Sequence, residues 1–248
     1  MIISFVIPVY KSYHLLDRCI GSIVKQKGQV DVEIIIVDDT PHECREKINV
    51  DSPDFIKVVV NHRNMGVTYS RNKGWFYASG EYVIFLDSDD QLIDGALKII
   101  ENELLTTRLD CYFFRTINTS NKLVGKVLER KRFLSISSII ETYGTGERLL
   151  CIKRTNMKPF IGYFRGHEFA GLLRYISKFN RFVSLDAGYP ARIYYSDNIQ
   201  SISKGGELKK RTPQLINGHI YTAMHMLHLK RYILSLSWLL RVVKAKYL

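Results

Sequence analysis

At 248 residues, the chain can bury one substantial core, or one core with an appendage. Its 36 Lys and Arg against 24 Asp and Glu leave a net charge of +12, which asks for an anionic partner: nucleic acid, anionic lipid or a phosphorylated substrate. No apolar stretch approaches the roughly 20 residues that cross a bilayer, and Cys19, Cys44, Cys111 and Cys151 form no Cys-x-x-Cys pair. A disulfide framework and a zinc site therefore lose support, and free thiols in a reducing compartment are expected.

The N-terminus lacks a basic region ahead of its apolar residues, so it reads as a first strand over 2–7, ended by Pro8, and not as a signal peptide. Leu15, Leu16, Cys19, Ile20, Ile23 and Val24 recur at helical spacing. Residues 32–37 and 55–60 are apolar enough for two more buried strands. A helix opens at Asn64-Met65-Gly66 and runs to Ala78, with Gly80 as a stop signal. Residues 82–86 form a fourth strand, and 93–105 is again helical in period. Near-continuous apolar strands alternating with helices predict a parallel sheet covered on both faces.

Beyond Asp110 the pattern loosens. Residues 111–115 and 149–152 read as strands, 136–143 and 168–176 as helices, and Gly144-Thr145-Gly146 as a flexible link. The basic run over 126–132 reads as a solvated face. Gly205-Gly206 and Pro213 mark a linker, followed by two basic helices over 215–248. His219, His225 and His228 lie there without an acidic partner and read as surface or packing residues.

The chemistry gathers at strand ends. Val83-Ile84-Phe85-Leu86 runs straight into Asp87-Ser88-Asp89-Asp90. Carboxylates crowded in one turn repel unless a cation sits between them, and a hard divalent ion brings diphosphate oxygens with it. The plainer reading makes Asp or Ser an N-cap for a helix at Leu92-Ile93. Three other loops end on the same sheet edge: Pro8-Val9-Tyr10, Asp38-Asp39, and the stretch from Asn64 to Arg71. An acid after the second strand can accept from a base or ribose. Arg71 can grip phosphate with two N–H groups, and the helix start at Gly66 offers amides to an anion. The edge carries neither Gly-x-Gly-x-x-Gly nor a phosphate-loop Gly-Lys-Ser/Thr, which argues against a dinucleotide oxidoreductase and a P-loop NTPase.

Ser4-Phe5-Val6-Ile7-Pro8-Val9-Tyr10, Ile35-Ile36-Val37-Asp38-Asp39-Thr40, Asn64-Met65-Gly66-Val67 with Ser70-Arg71-Asn72-Lys73-Gly74, and Gly80-Glu81-Tyr82-Val83-Ile84-Phe85-Leu86-Asp87-Ser88-Asp89-Asp90 together resemble the signature of family-2 glycosyltransferases, in order and spacing, across residues 1 to 110. The resemblance implies a GT-A fold, α/β with a mostly parallel sheet flanked by helices, followed here by a helical tail. It implies a nucleotide-sugar donor, with UDP favoured, and a divalent cation, Mn²⁺ or Mg²⁺, held by Asp87 and Asp89. It also implies inversion at the anomeric carbon. The donor-binding set is then Pro8, Tyr10, Asp38, Asp39, Asn64, Gly66, Arg71, Asp87 and Ser88. Gly166-His167-Glu168-Phe169 is similar to the family's Gly-Glu-Asp-x-x-Phe helix start. Glu168 falls on the general base and His167 stands where an acid is usual. By its own sequence Glu168 would equally serve as a first-turn acid. The segment over 192–203, ending Ser201-Ile202-Ser203, resembles a later family segment without its Tyr-Arg pair or its histidine.

The expected organisation is a nucleotide-sugar-binding half over 1–110, an acceptor-binding half over 111–204 and a basic tail over 205–248. The expected reaction is metal-dependent inverting transfer of a sugar to a hydroxyl of a glycan or lipid-linked glycan, in the cytoplasm. The tail is expected to be peripheral to an anionic membrane face or packed on the domain, and no nucleic acid is expected. Two other readings stay open: a nucleotidyltransferase making nucleotide-sugars, and a basic nucleic-acid-binding module.

Overall fold

β-Branched and aromatic residues in runs of four to seven give strands whose two faces are both apolar, and such strands must be covered on both sides. In the computed structural model this is how the chain is built. The structure describes residues 1–27, 30–48, 54–125, 132–134, 139, 147–164, 167–178, 184–195 and 212–245. The expected helix over 136–143 (Ile139 apart), the 144–146 link, the basic run up to residue 131, Gly166, the 201–203 segment and Gly205-Gly206 lie outside them.

The order is β1 (Ile3–Val9), α1 (Tyr13–Val24), β2 (Val32–Asp38), β3 (Ile56–Val60), α2 (Val67–Tyr77), β4 (Tyr82–Phe85), β5 (Gln91–Leu92), α3 (Ala96–Thr107), β6 (Cys111–Asn118), β7 (Arg132–Leu134), β8 (Arg148–Lys153), α4 (Glu168–Ser177), β9 (Ser184–Tyr194), α5 (Thr212–His228) and α6 (Tyr232–Ala245). The strands lie in the order β3-β2-β1-β4-β8-β6-β9-β5, with β7 also on β9. Pairing is parallel from β3 through β4 and antiparallel at β8. β9 returns parallel to β6. The parallel half matches the sequence reading except at β3, which is not buried: it is the edge strand, paired on one side alone among the described residues, and Val58 and Val60 are exposed. Beyond β4 the sheet is mixed.

Alternate residues of each strand enter different layers. Phe5, Ile7, Ile34, Ile36, Tyr82 and Ile84 pack under α1 and α3. Val6, Ile35, Val37, Val83 and Phe85 pack under Trp75 of α2, under α4 and under Met226 of α5. This period of two fixes the register, because a one-residue slip would exchange the layers.

Several boundaries differ from expectation, each for a local reason. β1 does not stop at Pro8 but continues to Val9. Val6 offers its carbonyl to Leu86 on the β4 side, so the N–H that Pro8 lacks would also point there, beyond the last β1–β4 pair at Val6 and Phe85. No helix begins at Leu92. Asp90 closes a turn back to the Asp87 carbonyl at 3.0 Å, Gln91–Leu92 pair with β9, and α3 starts after a left-handed Gly95. The N-cap reading of Asp87 and Ser88 is therefore overturned. Pro213 is no linker residue but lies in the first turn of α5, where a missing N–H costs nothing.

Candidate active site

The parallel half brings four loops to one edge, and hydrogen bonds tie them together. After β1, Lys11 takes a left-handed conformation and gives its amide to Thr40 Oγ1 at 3.0 Å, so Tyr10 sits beside the loop that follows β2. Asp38 is buried. It accepts from Tyr13 Oη at 2.9 Å and from the Thr40 amide at 2.9 Å, and lies 3.5 Å from Arg45 Nε. Asp39, also buried, accepts from Asn61 Nδ2 at 2.8 Å and from the amides of Met65 and Gly66 at 2.7 Å each. The helix-start amide of Gly66 was expected to be open to a phosphate; the anion it meets is Asp39's own carboxylate. Gly66 turns the chain into α2 with φ 90, a conformation that suits glycine. Asn64 is half-buried in that loop.

The next turn of α2 buries polar residues, and each has a partner. Ser70 Oγ accepts from Asn61 at 2.9 Å. Thr68 Oγ1 donates to the Gly162 carbonyl at 3.1 Å. Asn72 gives Nδ2 to the Phe160 carbonyl at 2.8 Å and takes the Phe160 amide at 3.1 Å. α2 thus stitches the parallel half to the loop that leads into α4.

Arg71 is the centre of this seam. One guanidinium nitrogen, Nη2, meets Asp87 Oδ1 at 2.5 Å, and the other, Nη1, meets Glu168 Oε1 at 2.5 Å. The fork expected to grip a phosphate instead joins the acid at the end of β4 to the acid that opens α4. Burial opposes the charge on Arg71, but Asp87 and Glu168 outweigh it and hold the guanidinium protonated. Burial likewise works against the Asp87 carboxylate, yet Arg71 and Arg192 hold it below the ordinary aspartate range.

Around Asp87 the acids are packed tightly. Ser88 Oγ lies 2.6 Å from Ser12 Oγ, and the Asp89 carbonyl accepts from Arg18 Nη2 at 2.6 Å. Asp90 is fully buried, with Arg192 Nη1 3.0 Å away. Burial pushes the Asp90 carboxyl up to about 8, Asp87 and Asp89 push the same way, and Arg192 pulls against them. Asp87 and Asp89 thus make the potential at Asp90 more negative, while Arg192 offsets part of it. Among the described residues no group of three His, Cys, Asp or Glu forms a closed metal cage. Asp87 and Asp89, both part-exposed, fit the other kind of site, in which one or two carboxylates hold Mg²⁺ or Mn²⁺ and substrate phosphates complete the shell.

His167 explains its own departure from the family pattern. It is the N-cap of α4, accepting the Ala170 amide on Nδ1 at 3.4 Å. Its Nε2 lies 2.8 Å from His219 Nδ1 on α5, and Trp238 of α6 stands 5.5 Å from each imidazole, centroid to centroid. Gly218 leaves room for the ring, since a Cβ there would meet His167 Cγ at 2.5 Å. Burial, then His219 and Arg241, press the imidazole down to about 4. His219 is therefore a packing residue, as read from the sequence.

Sequence reasoning missed Asn61, Asn72 and Arg192. Arg192 is buried and reaches Thr116, Glu147 and Asp90 at once. The polar buried face of α2 was the available signal for Asn72; Arg192 lay in a segment with no readable period.

Comparison with known proteins bears on the family and the fold. The description of Glycosyl transferase family 2 matches residues 4–179. An Escherichia coli protein named UDP-Glc:alpha-D-GlcNAc-diphosphoundecaprenol beta-1,3-glucosyltransferase WfgD is 27% identical over 85% of this chain and 83% of its own length. A Campylobacter jejuni protein named GalNAc(5)-diNAcBac-PP-undecaprenol beta-1,3-glucosyltransferase is 31% identical over 67% of this chain, which spans 57% of that relative. Among solved structures, S. aureus TarS residues 1–349 in complex with UDP-GlcNAc superposes with TM-score 0.67 at 18% identity, covering 89% of this chain and 66% of that one. That likeness establishes a GT-A-like fold. The mixed sheet, with acids on one edge and a further acid facing them, marks a protein of that fold. The chain belongs to glycosyl transferase family 2. Of the three functional readings the sequence left open, this membership selects the transferase.

Proposed function

We propose that the enzyme transfers a sugar from a UDP-sugar, with inversion, to a hydroxyl of a lipid-linked or polymeric glycan. The observation that carries this reading is the Arg71 fork between Asp87 and Glu168, because it sets the donor-side acid and the acceptor-side acid on either side of one fixed cation. The names of the Escherichia coli and Campylobacter relatives, both acting on diphosphoundecaprenol-linked sugars, support the acceptor class. The UDP-GlcNAc bound to TarS supports the donor class.

In this reading Pro8, Tyr10, Asp38, Asp39, Asn64, Gly66 and Ser88 line the nucleotide side. Asp38 and Asp39 hold the loops that would flank base and ribose. Asp87 and Asp89 would hold Mn²⁺ or Mg²⁺, which supplies neutralisation of the charge that grows on the departing diphosphate. Glu168 Oε takes the proton of the acceptor hydroxyl. The hydroxyl oxygen bonds to the anomeric carbon from the face opposite the diphosphate, and the old carbon–oxygen bond breaks with its electron pair leaving on UDP.

The test is a panel of UDP-sugars with Mn²⁺ and an undecaprenyl-diphosphate sugar acceptor, read by mass spectrometry. Transfer is expected to vanish in excess EDTA and in Asp89→Asn. Glu168→Gln, which keeps the shape but cannot accept the proton, is expected to lose roughly 10²–10⁴-fold in kcat with donor affinity nearly unchanged. Full turnover in EDTA would remove the metal, and near wild-type turnover in Glu168→Gln would leave that residue as a helix-terminus acid only.

A further inference from the structure

The helical hairpin α5–α6 turns one side inward and leaves the other bare. Inward, Ser235 Oγ donates to the Ala223 carbonyl at 2.9 Å, Trp238 stacks on Phe169 at 5.3 Å, and Met226 is fully buried. Outward, Tyr232, Ile233, Leu236, Leu240 and Val243 of α6 are 52% to 87% exposed. At about 100° per residue these five fall within one arc of the helix. Ser237, Lys244 and Arg241 follow on the flank beside it, and Lys230 and Arg231 stand at the turn. On α5, Ile220, Met224 and Leu227 form a second exposed stripe at i, i+4 and i+7.

Scattered surface leucines are ordinary; a whole exposed face is not. The charge around it chooses the occupant. Between Thr212 and Ala245 there are four Lys and Arg, at 230, 231, 241 and 244, and no Asp or Glu. Two copies of this face would bring like charges together, which disfavours self-association. No helix among the described residues is long and apolar enough to cross a membrane. We infer that the outer face of α5–α6 lies in the interface of an anionic bilayer. An amphipathic helix with a basic flank buries its apolar arc at the headgroup level, and anionic lipid holds the flank. The hairpin is not a loose tether. α5 is fixed to His167 through His219 and Gly218, one residue ahead of Glu168, so the lipid surface is held at a set orientation to the acceptor-side acid. That last step rests on the proposed function; binding to lipid does not.

The experiment uses the full chain and vesicles of phosphatidylcholine with and without phosphatidylglycerol. The wild type is expected to co-sediment with the anionic vesicles and to be released by salt. Ile233→Ser/Leu236→Ser/Leu240→Ser is expected to lose roughly tenfold or more in vesicle partitioning, and Lys230→Gln/Lys244→Gln about fivefold per charge. All five side chains are exposed, so unchanged circular dichroism and melting temperature are expected in both variants, as is unchanged transfer to a water-soluble acceptor. Absence of wild-type binding, equal binding by the triple variant, or a wild-type dimer that the triple variant dissolves without any vesicle binding would each overturn the inference. A wild type that binds anionic vesicles but turns over no nucleotide-sugar upholds it and overturns only the reaction.

Discussion

The edge formed by the loops after β1–β4 and the start of α4 carry acids of the same kind, yet they are held by different means. Asp39 is fixed by the backbone amides of Met65 and Gly66, 26 and 27 residues on, in another loop of the same sheet edge. Glu168 is fixed by Arg71, 97 residues earlier, and by a helix cap that packs on the hairpin. Backbone amides of a neighbouring strand-end loop hold the first acid, and an arginine side chain with a cap seated on the hairpin holds the second. Glu168 therefore depends on the hairpin α5–α6 in a way that Asp39 does not.

The largest effect on this contrast comes from breaking the contact that joins the two regions. Arg71→Met removes the fork but keeps much of the buried stem. Asp87 and Glu168 would then repel, and a displacement of about 1 Å at a reacting group can cost on the order of 10²-fold in rate. A loss near that size in kcat is expected. In combination with Glu168→Gln the losses should be far from additive, because the two residues act as a unit. Steady-state kinetics of the two single variants and the double variant measures this. Near wild-type turnover in Arg71→Met, or simple additivity, would show that Glu168 is positioned without Arg71, and the contrast between the regions would fail.

The same contrast explains what could be read from the chain. The parallel half was legible because each part announces itself locally: apolar runs in β1, β2 and β4, a glycine at the turn into α2, and acids at the strand ends. The partners were not legible. That Arg71 meets Asp87 and Glu168 instead of standing open, and that Gly66 gives its amide to Asp39, depends on which side chains the folded loops bring within 3 Å. β9 was missed altogether, since Gly188 and Pro190 sit inside it and both argue against a strand. The register shifts where β9 pairs with β6 near Arg115, and Gly188 with φ 72 lies beside that irregularity. Arg192 went with it. His167 looked like a lost acid because the hairpin that packs on it lies some 50 residues later.

A middle-sized effect tests whether the strand-end acids are structural as well as binding groups. Asp39→Ala would leave the Asn61 amide and two backbone amides without their acceptor, in a place that is 4% exposed. Buried donors left unpaired cost about 1–3 kcal/mol each, less whatever water recovers. A destabilisation of about 3 kcal/mol in urea unfolding is expected, together with weaker donor binding. A variant as stable as the wild type would mean that the loop over residues 61–66 holds its shape by other contacts.

The smallest effect is on the other region and concerns pH. His167 is held down to about 4, from an ordinary 6.5, by burial and by its neighbours His219 and Arg241. As pH falls, the unfolded chain takes up this proton first, near 6.5, while the folded chain resists until about 4. The stability that neutral His167 contributes is thus complete above pH 6.5 and is lost as pH drops through the window from 6.5 to 4. One and a half units below 6.5, at pH 5, the loss should be about 2 kcal/mol. His219, also lowered by its burial, adds in the same direction. His167→Asn keeps an acceptor at the N-cap but cannot titrate. Its unfolding free energy should therefore fall less steeply than the wild type's between pH 6.5 and 5, whatever the carboxylates do, because they are common to both proteins. Parallel pH profiles for the two would show that the imidazole is as easily protonated in the folded chain as in the unfolded one. The hairpin would then not be seated on a neutral His167, and α4 would owe its position to Arg71 and its apolar packing.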